Sequence, residues 1–147
     1  PEVNMVSAPI VAKERGIQVS EVKREQRGAY ETYIRLTVKT EKREKSVAGT
    51  VFSGGKPRLI QIKGVNMEAA LGKHMLYVTN QDKPGFIGAL GSILAKAEIN
   101  IANFNLGREA AGGSAICLIE VDANISDVVL KEIQALPHVV QAQALSF

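Results

Sequence analysis

The second half of this 147-residue chain carries six segments whose order restricts the fold more than any other feature. Residues 74–80 read as a strand, 84–97 as a helix, 101–106 and 114–121 as strands, 126–136 as a helix and 139–145 as a strand. The order βαββαβ predicts a ferredoxin-like split βαβ sandwich of the α+β class, with one antiparallel sheet and both helices on one face. Each helix start has a physical signature. Asp82 and Pro84 bracket the first, a carboxylate facing the orphan N–H groups and a proline at an early position; Ser126 and Asp127 do the same for the second.

The first half reads as a small sheet with one helix. The helix is expected over 6–15, with Pro9 in its opening turn, Val6, Ile10 and Val11 on an apolar side, and Gly16 as the stop. Residues 17–25 alternate loosely as a strand, while 33–39, 45–52 and 56–63 alternate better. The charged turn 40–44 and the Ser53-Gly54-Gly55 hinge separate them, as an antiparallel meander requires. Residues 67–73 lack strand alternation and suit a short connector, so a boundary is placed near 70–74, between domains 1–72 and 73–147.

Charge follows this division. Residues 1–73 hold 14 Lys and Arg against 8 Asp and Glu, or +6, while 74–147 hold 4 against 7, or −3, and the chain totals +3. The basic half invites an anion, but its aromatics are only Tyr30, Tyr33 and Phe52 and no nucleic-acid motif accompanies them, so nucleic acid is not the expected partner. A hydrophobic content of 46% is enough for a core and argues against disorder. No apolar run reaches the ~18 residues of a membrane span and no signal peptide opens the chain, so a cytoplasmic protein without a membrane partner is expected. The single Cys117 can form no intrachain disulfide, and two histidines make no metal constellation. The chain begins at Pro1 inside ordered-looking sequence, which suggests a piece of a longer protein.

Gly85, Gly88 and Gly91 recur at three-residue spacing in the first helix of the second half. They share one stripe, and each costs about 1 kcal/mol against alanine in a helix interior. Close approach of a ligand or a second backbone would offset that loss; helix-on-sheet packing within the chain is the alternative. The glycines follow neither the GxxxxGK[ST] nor the GxGxxG order, so a nucleotide loop is not read here. No histidine has an acidic partner in sequence and no nucleophile elbow appears, so no catalytic residue is assigned and the chain alone is not expected to be an enzyme.

The run Asp82-Lys83-Pro84-Gly85, with Ile87-Gly88, Ile99-Asn100-Ile101-Ala102, Gly107-Arg108 and Gly113, resembles an ACT domain, an amino-acid-binding regulatory module. In the first half, Val3-Asn4, the segment 8–17, the segment 46–52 and Pro57-Arg58 resemble the intervening domain of long-form D-3-phosphoglycerate dehydrogenases. The resemblance covers essentially the whole chain. It implies a regulatory and oligomerisation region of an enzyme that oxidises 3-phosphoglycerate with NAD at the first step of L-serine biosynthesis, with NAD held elsewhere in the parent.

The same resemblance places an amino-acid effector, L-serine, at Asn80, Asp82, Gly85 and Asn100, between the first strand, the loop into the first helix and a neighbouring subunit. Gly88 and Gly91 then become subunit contacts, and at least a dimer is expected, sheet edges being available for pairing. Each residue also has a plain explanation: Asn80 as a strand end, Asp82 as a helix cap, Asn100 in a left-handed turn. Asn80 departs from the ring side chain, such as histidine, often found there in serine-inhibited members. For phosphate or a phosphorylated substrate the resemblance offers Arg58, with Lys73 and His74 adding charge from the hinge, although the second basic hinge position is Ala70. His74 also lies where a titrating group could couple two domains. The alternatives carried forward are a structural oligomerisation module without effector and the regulatory chain of an iron–sulfur L-serine dehydratase.

Overall fold

Asn4 opens the first helix: its Oδ1 accepts from the N–H groups of Val6 and Ser7 at 3.0 and 2.9 Å, and Ser7 Oγ returns a bond to its N–H at 3.0 Å. Helix α1 (Ala8–Glu14) has Pro9 in its first turn, as expected. It ends in a Schellman motif, with Gly16 at φ +69°, Ile17 N–H donating to Ala12 O and Gly16 N–H to Lys13 O. A computed structural model describes residues 3–23, 32–52 and 54–147, and these fall into two compact units, Pro1–Glu31 and Thr32–Phe147. The strand expected over 17–25 is not formed over 17–23, and its last two residues lie outside the described ones, as do Tyr30 and Ser53. Loose alternation supplies no ladder partner, and among the described residues of the first unit there is no strand to pair with.

The second unit begins with the meander β1 (Ile34–Lys39), β2 (Glu44–Phe52), β3 (Lys56–Ile62) and β4 (Val65–Ala69), antiparallel and in that spatial order. Thr40 Oγ1 and Arg43 close the charged turn through reciprocal bonds of 3.1 Å. Strand β4 corrects the reading of 67–69 as part of a connector, which is confined to residues 70–73. A two-residue turn, Lys63-Gly64 with both φ positive, reverses the chain, and Val65, Met67 and Ala69 are buried while Asn66 and Glu68 are exposed. The alternation starts at Val65, two residues ahead of that stretch.

The remaining elements are β5 (His74–Gln81), α2 (Phe86–Lys96), β6 (Ile101–Arg108), β7 (Ser114–Val121), α3 (Asp127–Gln134) and β8 (Val139–Ser146). Their antiparallel sheet has the order β6-β7-β5-β8, the ferredoxin-like arrangement the pattern predicts. Phe86, Leu90 and Leu94 of α2 and Ile133 of α3 pack on Leu76, Val78, Cys117, Ile119 and Ala142. The opposite face is also covered: Met75, Ile116 and Leu118 meet Val65, Met67 and Ala69 of β4. Cover on both faces explains why β7 is a nearly continuous apolar run. The seam is close enough that a Cβ on Gly107 would lie 2.8 Å from Asn66 O, and Lys63 Nζ sits 5.3 Å above the Tyr77 ring across it. Among the described residues no helix is long and apolar enough to cross a membrane.

Helix α3 starts as predicted, Ser126 Oγ accepting from Val129 N–H at 3.4 Å with Asp127 in the first turn. Helix α2 does not. Its N-cap is Gly85, in the left-handed region at φ +91° with no side-chain cap, and Asp82 is turned away. At its other end Glu98, not Asn100, takes the left-handed position at φ +55°, with Ile99 N–H reaching Leu94 O.

Candidate functional site

The loop from β5 into α2 is built from backbone outward. Gln81 N–H donates to His138 O at 2.9 Å and Asp82 N–H to Gly113 O at 2.8 Å, which ties the loop to both flanking connections. Asn80 is 2% exposed; its Nδ2 donates to Gln81 O at 2.8 Å and its Oδ1 faces the Cys117 thiol at 3.8 Å. Burial, helped by the Asp82 charge, pushes that thiol up to about 12, so Cys117 stays a neutral weak donor.

Asp82 is the electrostatic centre. Its Oδ2 accepts from Arg108 Nη1 at 2.5 Å and from Gly112 N–H at 3.3 Å. Those two bonds, Arg108 first, hold its carboxyl below the ordinary value of 3.8. The tie is therefore present at neutral pH and is lost as pH falls through that lowered value. Arg108 and Gly112 were not among the predicted site residues. The signal was that Arg108 is the only arginine of the second half, placed at the end of a strand in a segment of negative net charge.

Gly85 gives the loop its left-handed turn, and a Cβ built on Gly88 or Gly91 meets no atom within 4 Å. Packing among the described residues therefore does not account for the two helical glycines, whose neighbour Ile87 is 55% exposed.

Asn100 lies elsewhere. Its Nδ2 donates to Asp122 Oδ2 at 2.9 Å, beside the Ile101–Val121 pair, whereas Asn80 pairs with Ala115 at the opposite end of β7. Six residues of β7 separate these points, about 20 Å at the rise of a strand. One chain brings Asn80, Asp82 and Gly85 together but leaves Asn100 at the far end of α2.

Of the basic residues offered for an anion, only Arg58 lines a cavity on the first sheet. Arg58 lines a cavity of about 450 Å³ on the open face of the first sheet, with Ile34, Leu36, Val51 and Leu59, and its Nη1 donates to Pro57 O at 3.0 Å. Lys73 and His74 do not line that cavity; Lys73 O accepts from Phe147 N–H, and His74 Nδ1 is buried without a hydrogen-bond partner among the described residues. Among the described residues no group of three or more His, Cys, Asp and Glu could hold a metal ion.

Residues 1–63 match the D-3-phosphoglycerate dehydrogenase intervening domain and residues 74–138 match the ACT domain. The chain is 34% identical to the D-3-phosphoglycerate dehydrogenase of Bacillus subtilis over 97% of its own length, and 35% identical to that of Archaeoglobus fulgidus over 96%. It spans 27% of the length of each. It is also 30% identical, over 76% of its length and 51% of the relative, to a protein of Bacillus subtilis named "Probable L-serine dehydratase, beta chain".

Proposed function

We propose, for a chain that joins the intervening domain of the D-3-phosphoglycerate dehydrogenase family to an ACT domain, that it is the regulatory region of such an enzyme and binds L-serine between two of its copies. The observation that carries the reading is the separation of Asn80 and Asp82 from Asn100 along α2, with an open glycine stripe between them. A two-fold axis across α2 reverses its ends, so the Asp82 end of one copy meets the Asn100 end of the other, with Gly88 and Gly91 allowing close approach. Asp82 then offers a carboxylate to the ammonium of the ligand. The unpaired N–H groups at the start of α2 suit its carboxylate.

Regulation follows if serine binds two arrangements of the subunits unequally and so shifts their populations. The reaction regulated would be the NAD-dependent oxidation of 3-phosphoglycerate. In that reading NAD acts in another part of the parent protein, as the family resemblance implies. The similarity to the serine dehydratase beta chain supports a second reading, in which the same domain pair regulates an iron–sulfur L-serine dehydratase. L-Serine titrated into the purified chain by calorimetry, with D-serine and glycine as controls, should give saturable, stereoselective heat at two symmetry-related sites per interface, one per chain. No heat up to millimolar serine contradicts effector binding and leaves a structural oligomerisation module.

A further inference from the structure

Both donors that reach Asp82 land on the same oxygen. Arg108 Nη1 and Gly112 N–H bond Oδ2, while Oδ1 has no hydrogen-bond partner among the described residues. A carboxylate can accept about four bonds, so the free oxygen keeps its capacity to bind a cation. Arg108 comes from the end of β6 and Gly112 from the β6–β7 turn, so this orientation is imposed from outside the β5–α2 loop. Asp82 N–H completes the tie by donating to Gly113 O. The Arg108 side chain is half exposed, and an exposed pair of this kind adds little to folding stability. Its consequence is geometric.

We propose that Arg108 is a positioning residue of the effector site: with the Gly112 N–H it fixes the Asp82 carboxylate through Oδ2 and presents Oδ1 to the ammonium group of an amino-acid ligand. The inference rests on the reading of the β5–α2 loop as an effector site. It also gives the turn 109–113 a function, since any shift of that turn moves the group that contacts the ligand.

The test compares the wild-type chain with Arg108→Gln and Arg108→Lys by L-serine calorimetry across pH, with the ¹³C titration of the Asp82 carboxyl recorded without ligand. Arg108→Gln should weaken binding by roughly tenfold or more, and Arg108→Lys, which keeps the charge but not the planar fork, should fall between. In Arg108→Gln the carboxyl should titrate at higher pH than in the wild type, and serine affinity should begin to fall at correspondingly higher pH on acidification. A role confined to fold stability would move the thermal midpoint without that pH shift, and that result overturns the inference. So does Arg108→Gln binding serine with unchanged affinity and pH profile while the wild type binds. A wild-type chain that binds no serine instead removes the effector reading on which the inference stands, whatever the carboxyl titration shows.

Discussion

Leu90→Ala should lower folding stability by roughly 2–5 kcal/mol, the cost of lost burial plus the cavity left behind. Leu90 is 0% exposed at the middle of α2, between Phe86 and Leu94, and packs on the sheet that carries the site. Urea unfolding of the described fold would read this as a lower midpoint at unchanged slope. Val140 provides the contrast, since it is 75% exposed on β8 and its truncation should stay within about 0.5 kcal/mol. A small effect at Leu90 would mean that α2 is not seated on the sheet as described. The position of the β5–α2 loop would then have no rigid support.

Gly88→Leu should have the opposite character, leaving the single chain folded while weakening self-association by at least about tenfold. A Cβ at this position meets no atom within 4 Å and Gly88 has no positive φ, so the added side chain is accommodated in the isolated chain. Helix propensity even favours the change by up to about 1 kcal/mol. Across a two-fold axis the same side chain would stand in the approach of the second α2. Thermal unfolding and sedimentation measured on one sample separate the effects: a retained or raised midpoint with a shift toward monomer is expected. Unchanged association would remove α2 from the interface.

The ferredoxin-like half was legible because its signals are local. Helix starts at Ser126, alternation in β5 and β8, and the apolar run of β7 each lie within a few residues of the element they specify. Strand β4 was missed because its alternation begins at Val65, directly after the Lys63-Gly64 turn, and its buried side faces β5 and β7 of the other sheet. The segment 17–23 failed for the converse reason, having alternation but no ladder partner among the described residues of its unit. Asp82 was read as a cap because capping is the local use of an aspartate before a helix. Its actual partners, Arg108 and Gly112, are 26 and 30 residues away, and only the pairing of β7 with both β5 and β6 brings them to it. Arg58 was offered by the family resemblance and Lys73 and His74 as added charge from the hinge; the fold sets Arg58 on the cavity of the first sheet, and the other two do not line it.

An effector site shared between two copies of the chain should be rebuilt by mixing two variants that each lack one half of it. Asp82→Ala and Asn100→Ala chains are prepared separately, shown to fold, and tested for L-serine binding alone and after being combined in equal amounts with time for subunits to exchange. Each variant alone should bind no serine. Half of the dimers in the mixture pair the two variants and contain one unaltered site, so about a quarter of the wild-type stoichiometry should return. A mixture that binds nothing while the wild type binds, or an Asn100→Ala chain that binds as the wild type does, would contradict a site built from both copies.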